Sequence, residues 1–369
     1  MRTRRKPLLV VAAGGTGGHM FPAQALAEVA LERNWSVQLW TDSRGLRFVS
    51  GFPPEVETHL IASGTIGRGS VLERTAAPIK LATGIFFAVI RSFRDMPTAY
   101  VGFGGYPAFP AMAAAWLLRR PRSIHEQNSV LGRANRFWAR RVDVVATGFS
   151  LKENNRVLKS TTVGNPLRSS VLEQVEIGYR SPREGSISIL AIGGSQGAAI
   201  FSKVLPEAVR HLPDELLSRL SIALQTRKGE ESAAQANMNR AGVESVVSCF
   251  FDDIPERIAE AQLVISRAGA SSLSEISAIG RPSILVPYAA AANDHQTSNA
   301  TSLVEEGAAV LIAESELSSE RLAREIEAIL TNAPLAEKMA EAARQCGKPN
   351  AAMDLANLVL PATDSERSS

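Results

Sequence analysis

Cysteine is nearly absent: Cys249 and Cys346 are the only two in 369 residues. They lie far apart and match no metal or redox spacing, which excludes a disulfide-stapled scaffold and suits a reducing, cytoplasmic setting. Charge of one sign is scarce too, with a formal balance of only +3. That balance argues for anionic ligands in local sites, and no RNA- or DNA-binding motif appears, so nucleic acid is not an expected partner. No stretch of about 18 apolar residues lacks charge, so no bilayer-spanning helix is expected. The start, Met1 to Pro7 followed by Leu8 to Ala13, mimics a signal peptide, but its apolar run meets Gly14 and Gly15 too soon for an h-region. No Asp-x-Asp motif and no His/Asp/Glu cluster with metal-ligand spacing occurs, which makes a metal ion an unexpected component. Low-complexity segments are missing as well. An apolar fraction of 45% with few aromatics then describes a globular α/β protein.

The chain is longer than one hydrophobic core usually supports, since domains commonly hold about 100 to 200 residues. Two domains are therefore expected, and the sequence shows where the second begins. Leu8 to Ala13 reads as a buried parallel strand, followed by the glycine loop Gly14-Gly15-Thr16-Gly17-Gly18-His19 and a helical pattern from Pro22 through Glu32. The arrangement returns at Ile187 to Ile192, with Gly193-Gly194-Ser195-Gln196-Gly197-Ala198 and a helix through about Arg210. Further strand-like runs (Val37 to Trp40, Ala99 to Val101, Val144 to Ala146, Leu220 to Ala223, Leu263 to Ile265, Ser283 to Val286) alternate with helical segments. Alternation of this kind implies α/β architecture: two doubly wound, Rossmann-like domains with parallel sheets, facing a cleft that holds the ligand. The expected division is 7–164 for the first domain, 165–345 for the second, 346–361 for a terminal helix packing back on the first, and 362–369 for a disordered tail.

A glycine loop between a strand and a helix lets backbone N–H groups approach a ligand closely, while the helix N-terminus offers partial positive charge; diphosphates fit such places. One such loop is equally compatible with a tight turn that binds nothing, but two, one per half, favour function. A nicotinamide-dinucleotide fold is the main rival, because Asp42 falls where a ribose-binding acid would stand. Against it, Gly14 to His19 lacks the spacing G-x-G-x-x-G, and a dehydrogenase needs no second loop. Three more islands follow strand-like runs and are too polar for core: Gly102 to Pro107, His125-Glu126-Gln127-Asn128, and Ser266 to Glu275. That placement puts them on the ligand-binding rim of a doubly wound sheet.

These segments, together with Gly164-Asn165-Pro166-Leu167-Arg168 and Asp294-His295-Gln296-Thr297-Ser298-Asn299-Ala300, resemble in kind and order the MurG family of peptidoglycan N-acetylglucosaminyltransferases. The resemblance runs the length of the chain. It implies a GT-B fold, with an undecaprenyl-linked lipid I acceptor on the N-terminal half and UDP-N-acetylglucosamine on the C-terminal half. The implied activity is inverting transfer of N-acetylglucosamine to the acceptor's 4-hydroxyl, giving lipid II, with no cofactor and no metal. By the same resemblance, Thr16, Gly17, Gly18 and Asn128 would contact the donor sugar or its diphosphate, and Arg168, Ser195 and Gln196 would hold the diphosphate. The backbone of Phe251 would read uracil, Ala270, Ser271, Ser272, Leu273 and Ser274 would line the donor, Glu275 would bond the ribose hydroxyls, and His295 and Gln296 would reach the sugar. Glu275 and Arg168 also suit these tasks chemically, because a carboxylate accepts from adjacent hydroxyls and a guanidinium pairs with phosphate.

His19 is the first candidate for the base, since imidazole titrates near neutral pH; a helix cap is the alternative reading. Glu126 and Tyr106 are the reserve candidates for proton transfer or acceptor binding. Ile79 to Arg94, apolar with basic flanks, resembles an interfacial helix: Lys80, Arg91 and Arg94 would meet headgroups, and Ile85, Phe86, Val89, Ile90 or Phe93 would dip below. A buried core helix fits much of the same pattern. Trp116 to Arg120 is a smaller candidate. Peripheral attachment to the cytoplasmic face of the membrane, near other cell-wall synthesis proteins, would follow from a lipid-bound acceptor. A UDP-N-acetylglucosamine 2-epimerase and a non-catalytic UDP-sugar-binding scaffold share enough of these features to stand as competing readings.

Overall fold

The computed structural model describes residues 6–62, 71–151, 160–183, 185–194 and 199–361. The chain divides into two compact units, Met1–Arg168 with Asn350–Ser369, and Ser169–Pro349. The expected disordered tail and the segment Ser195 to Ala198 lie outside the described residues.

In the first unit the order is β1 (Leu8–Ala12), α1 (Gly17–Glu32), β2 (Ser36–Thr41), β3 (Glu57–Leu60), α2 (Val71–Asp95), β4 (Ala99–Gly102), α3 (Ala108–Leu117), β5 (Arg122–Glu126), α4 (Arg133–Trp138), β6 (Val144–Thr147) and β7 (Ser160–Thr162). The strands form one sheet in the order β3-β2-β1-β4-β5-β6-β7, and every pairing is parallel. Strand β1 is apolar on both faces because both are covered. Leu9 and Val11 join a core with Met20, Leu26 and Ala30 of α1, while Val10 and Ala12 join one with Tyr100, Ala108 and Ala111. Helix α2 crosses close to the segment after β3: a Cβ on Gly84 would collide with the carbonyl oxygen of Ala62, so only glycine fits there.

The second unit runs α5 (Ser169–Val175), β8 (Ile187–Ile192), α6 (Ala199–Val209), α7 (Asp214–Leu217), β9 (Leu220–Gln225), α8 (Glu231–Arg240), β10 (Glu244–Ser248), α9 (Ile254–Glu260), β11 (Leu263–Ser266), α10 (Ala270–Ile279), β12 (Ser283–Leu285), α11 (His295–Glu305), β13 (Ala309–Leu311), α12 (Ser319–Leu330) and α13 (Ala333–Cys346). Its parallel sheet has the order β10-β9-β8-β11-β12-β13. Edge strand β10 is blunted by α8: the Gln235 side chain accepts from Val247 N at 3.2 Å and donates to Ser245 Oγ at 3.0 Å, so the strand's polar groups are not left open to another chain. Arg281 is fully buried and donates to the carbonyls of Ala259, Ile279 and Ile177. A cation at two helix C-termini is placed where their dipoles favour it, although burial still pulls its pKa down to about 10.

The chain then returns. Helix α14 (Ala351–Val359) places Leu355, Ala356 and Val359 in the same core as β1 and α1 of the first unit. Arg33 at the end of α1 donates to Asn357 Oδ1 at 2.5 Å.

Both sheets show the point at which strand order reverses, between β1 and β4 in the first unit and between β8 and β11 in the second. Ligands of open α/β sheets bind at the carboxyl ends of strands flanking that point. The glycine loops Gly14 to His19 and Gly193 to Ala198 follow β1 and β8, one in each unit.

Several expectations need correction. Helix α1 begins at Gly17, five residues before the expected Pro22, because the paired glycines continue into the first turn. Strands β3, β5, β7, β10 and β13 carry too many polar residues or are too short to show the strand pattern expected from sequence.

Candidate active site

In the first unit the rim is built from the loops after β1, β2, β4 and β5. The β1 and β4 loops touch, and glycine makes the contact possible. A Cβ on Gly14 would stand 2.6 Å from Pro107 Cγ, and one on Gly105, where φ is +76°, would stand 2.9 Å from Gly14 O. Asp42, at the end of β2, then ties the β1 loop from behind. Its Oδ1 accepts from Gly15 N at 3.3 Å and Gly45 N at 2.9 Å, and its Oδ2 takes two N–H groups of Arg44. A carboxylate so occupied is not offered to a ribose, which removes the main support for the dinucleotide reading. It also takes the Gly15 amide out of use.

His19 stands in the first turn of α1. Its Nδ1 lies 3.1 Å from Gly14 O and 3.4 Å from Thr16 Oγ1. A carbonyl oxygen only accepts, so Nδ1 carries the proton and Nε2 keeps its lone pair. Desolvation by the packed loops holds the pKa of His19 below its ordinary 6.5, opposed by the negative charge of Glu126 and the Gly14 hydrogen bond, and aided by Arg44. Gly104 lines the Nε2 side: a Cβ there would lie 3.3 Å from Nε2 and 3.4 Å from Asn135 Nδ2.

Glu126 is buried and saturated. Oε1 accepts from Asn128 N at 3.2 Å and Asn128 Nδ2 at 3.1 Å, and Oε2 from Gly132 N at 2.8 Å and Asn135 Nδ2 at 2.9 Å. Four donors leave no open lone pair for an acceptor hydroxyl. The expectation of proton transfer by Glu126 is therefore corrected: it sets the β5 loop, orients Asn128 and anchors the start of α4. Beside it, His125 Nε2 donates to Gly164 O at 2.9 Å and Nδ1 accepts from Gln127 at 3.3 Å. Burial drives its pKa down to about 4, so this imidazole is a neutral latch between β5 and the segment leading to Arg168. Tyr106 follows the glycine pair of the β4 loop and is half-buried. The guanidinium of Arg168 lies over the ring of Phe21 on α1, 4.0 Å from its centroid, a contact that orients it.

In the second unit, Gly193 N donates to Gln225 Oε1 at 3.1 Å, and Gly194 (φ +75°) has open space where a side chain would be. Ser195 and Gln196 lie outside the described residues. Helix α10 starts at Ala270 behind Gly269, which also borders open space. Ser271 Oγ is buried without a hydrogen-bond partner among the described residues, and Glu275 lies one turn further on the same face. Ser272 is half-buried, and Ser274 turns its hydroxyl back to Ala270 O at 2.9 Å. Leu273 is wholly in the core and its amide returns to Gly269 O at 3.0 Å. Leu273 therefore has only its backbone, in the first turn of α10, to offer a ligand. Phe251 is likewise buried with Arg257 over its ring at 4.4 Å, which leaves only its backbone to meet a ligand. At the start of α11, His295 is half-buried, and Gln296 Oε1 accepts from Tyr288 N at 2.9 Å.

Sequence reasoning missed one partly buried ion pair on this rim. Arg267, after β11, donates to Glu314 at 2.9 and 3.1 Å and to the carbonyls of Val286 and Pro287. The partners are 47 residues apart, and no local pattern joins them. Among the described residues no group of three or more His, Cys, Asp or Glu side chains is gathered as a metal site.

Comparison with known proteins fits these two rims. Residues 9–147 match the glycosyltransferase family 28 N-terminal domain, and residues 188–357 match the glycosyltransferase family 28 C-terminal domain. The chain belongs to glycosyltransferase family 28. Within that family it is 46% identical over 358 residues, 96% of this chain and 95% of the relative, to the UDP-N-acetylglucosamine--N-acetylmuramyl-(pentapeptide) pyrophosphoryl-undecaprenol N-acetylglucosamine transferase of Rhizobium meliloti (strain 1021). The protein of that name from Rhodospirillum centenum is 45% identical over 96% of this chain and 94% of its own length. The crystal structure of Acinetobacter baumannii MurG superposes with a TM-score of 0.76 at 31% identity, covering 96% of this chain and 99% of that one. A UDP-GlcNAc 2-epimerase from Neisseria meningitidis, at 12% identity and a TM-score of 0.67, shares the fold. The expected family and its two-sheet architecture are thus established.

The family 28 N-terminal unit also carries an apolar face. Helix α2 exposes Ile79, Phe86, Phe87, Ile90 and Phe93, with Phe86 at 61% and Phe93 at 67%, while Trp116 and Leu117 of α3 are exposed as well. Contiguous exposed apolar side chains of this size mark an interaction surface. Here too the sequence expectation needs correction. Ile85 and Val89 turn inward against the core, and Arg91 is held by Asp95 at 3.2 Å and Glu57 at 3.3 Å, so it is not presented to headgroups. No helix among the described residues is long and apolar enough to cross a membrane.

Proposed function

We propose that this chain transfers N-acetylglucosamine from UDP-N-acetylglucosamine to the 4-hydroxyl of the N-acetylmuramoyl unit of an undecaprenyl-diphosphate-linked acceptor, with inversion at the anomeric carbon. The reading rests on one observation above the others: identity of 46% over 96% of the chain to a transferase of that name.

The residues support a division of labour. His19 Nε2 accepts the proton of the attacking hydroxyl as the new C–O bond forms and the bond to UDP breaks, its electron pair leaving with the diphosphate. The Gly14 carbonyl fixes the tautomer this requires. First-turn amides at Thr16, Gly17 and Gly18 and the oriented Arg168 suit anionic oxygens. In the second unit, the N-terminus of α10 with Ser271 and Glu275 suits the nucleotide, and Gln296 and His295 suit the sugar. Glu126 holds Asn128 in place, and Tyr106 borders the acceptor side. Backbone donors and Arg168 meet the leaving-group charge electrostatically.

The α2 face suits peripheral attachment to the cytoplasmic surface of the membrane, where such an acceptor resides. Lys80 and Arg94 are exposed beside it and suit anionic headgroups.

Donor labelled in the sugar, incubated with the purified protein and detergent-solubilised acceptor, tests the reading. Label in the lipid fraction supports it. Conversion of the donor to its 2-epimer, or binding without turnover, would assign the chain to an epimerase or a scaffold.

A further inference from the structure

Two successive peptides just past β12, Pro287–Tyr288 and Tyr288–Ala289, are each held by a side chain. Tyr288 N donates to Gln296 Oε1 at 2.9 Å, and the next amide, Ala289 N, donates to Glu314 Oε2 at 3.0 Å. Glu314 opens the turn after β13, the strand paired with β12, and Gln296 lies in the first turn of α11. Arg267 completes the brace: its guanidinium grips both oxygens of Glu314 and also the carbonyls of Val286 and Pro287, the latter in the same peptide unit as Tyr288 N. Its hydrogen bonds, with help from the Ala289 amide and its charge, hold the Glu314 carboxyl below the usual carboxylate range.

The consequence falls on Gln296. A backbone N–H can only donate, so the atom it meets is the amide oxygen, and Nε2 with its two donors is turned away from the loop. Were the Pro287–Tyr288 peptide, held by Arg267 at its carbonyl, to rotate, Gln296 would lose the contact that sets which end of its amide faces outward. Bidentate charge-assisted pairs supply such geometric precision better than neutral contacts.

We propose that Glu314 is a positioning residue for the donor sugar, acting through the Tyr288–Ala289 peptide and, by way of Arg267, the Pro287–Tyr288 peptide to orient Gln296. The inference rests on the reading of Gln296 as a donor contact. Glu314 itself touches no substrate. Replacement by glutamine keeps the shape but supplies one carbonyl oxygen for three donors, and the loop relaxes.

Calorimetric titration of the full chain with UDP-N-acetylglucosamine, for wild type, E314Q, Q296A and the double variant, tests this. The expected dissociation constant rises about tenfold in E314Q, as loss of one charged hydrogen bond allows. Q296A alone gives a similar loss, and adding E314Q to it weakens binding no further. The acceptor KM in E314Q stays within about twofold of wild type, and E314D recovers most of the donor affinity. Wild-type binding in E314Q, losses that multiply in the double variant, or a parallel rise in acceptor KM would each overturn the inference. Failure of the wild type to bind the donor would instead overturn the proposed function, and this inference with it.

Discussion

The ring of His19 donates from Nδ1 to the carbonyl of Gly14, 3.1 Å away and five residues earlier in the same loop. The glycine loop at the rim thus also selects the tautomer of its imidazole. Backbone shape and base chemistry are one construction here, which is why the glycines around it tolerate so little change.

Gly104 is the first place to test that construction. It sits at φ +89°, and a methyl group there would press within 3.3 Å of His19 Nε2. Gly104→Ala should cost about 1–2 kcal/mol in stability from the left-handed backbone alone. Its larger effect should be on turnover, with kcat reduced more than tenfold while affinity for UDP is little changed, since the added methyl meets His19 and Asn135. Unaltered kcat in a folded variant would show that Nε2 does not face the acceptor.

The buried His125 predicts an acid-sensitive fold. Its pKa is about 4 in the native protein and 6.5 ordinarily. Between those values the unfolded chain binds a proton that the folded one does not, so stability is full above pH 6.5 and is lost as pH falls toward 4. The gap corresponds to roughly 3 kcal/mol. Thermal unfolding of wild type and His125→Gln across pH 4 to 7 should show a steeper fall in the wild type. Parallel curves would remove His125 from the account.

The α2 face makes a prediction about lipid. Phe86 and Phe93 are mostly exposed and support no core, so Phe86→Ser with Phe93→Ser should leave the unfolding midpoint nearly unchanged. Each phenylalanine is worth about 1.5–3 kcal/mol if fully buried, so cosedimentation with vesicles containing anionic lipid should fall at least tenfold. Ile85→Ser, on the inward side, should instead destabilise the protein. Equal vesicle binding by the Phe variant would locate the membrane contact elsewhere.

Much of this was legible in the chain because parallel strands buried on both faces announce themselves as short apolar runs, and glycine pairs after them mark the rims. Less legible was the use to which polar residues are put. Asp42 stands where a ribose-binding acid would, yet it spends its oxygens on Gly15, Gly45 and Arg44. Glu126 looks like an acid or base and is instead the anchor of four donors. The Arg267–Glu314 pair joins ends of strands that only the sheet brings together. On α2 the composition was clear but the rotation was not: Phe87 faces out and Ile85 in, because Gly84 and Ala88 form the close-packed seam.

The most direct test of the central claim is the pH dependence of transfer to the acceptor at saturating donor, compared between wild type and His19→Gln. With the His19 pKa held below 6.5 by burial, wild-type activity should persist through neutral pH and fall only on the acid side of that value. The variant should lose about 10²- to 10⁴-fold in kcat and lack that limb while binding UDP-N-acetylglucosamine normally. A variant that keeps wild-type kcat, or the same acid limb, would contradict the assignment of His19 as the base.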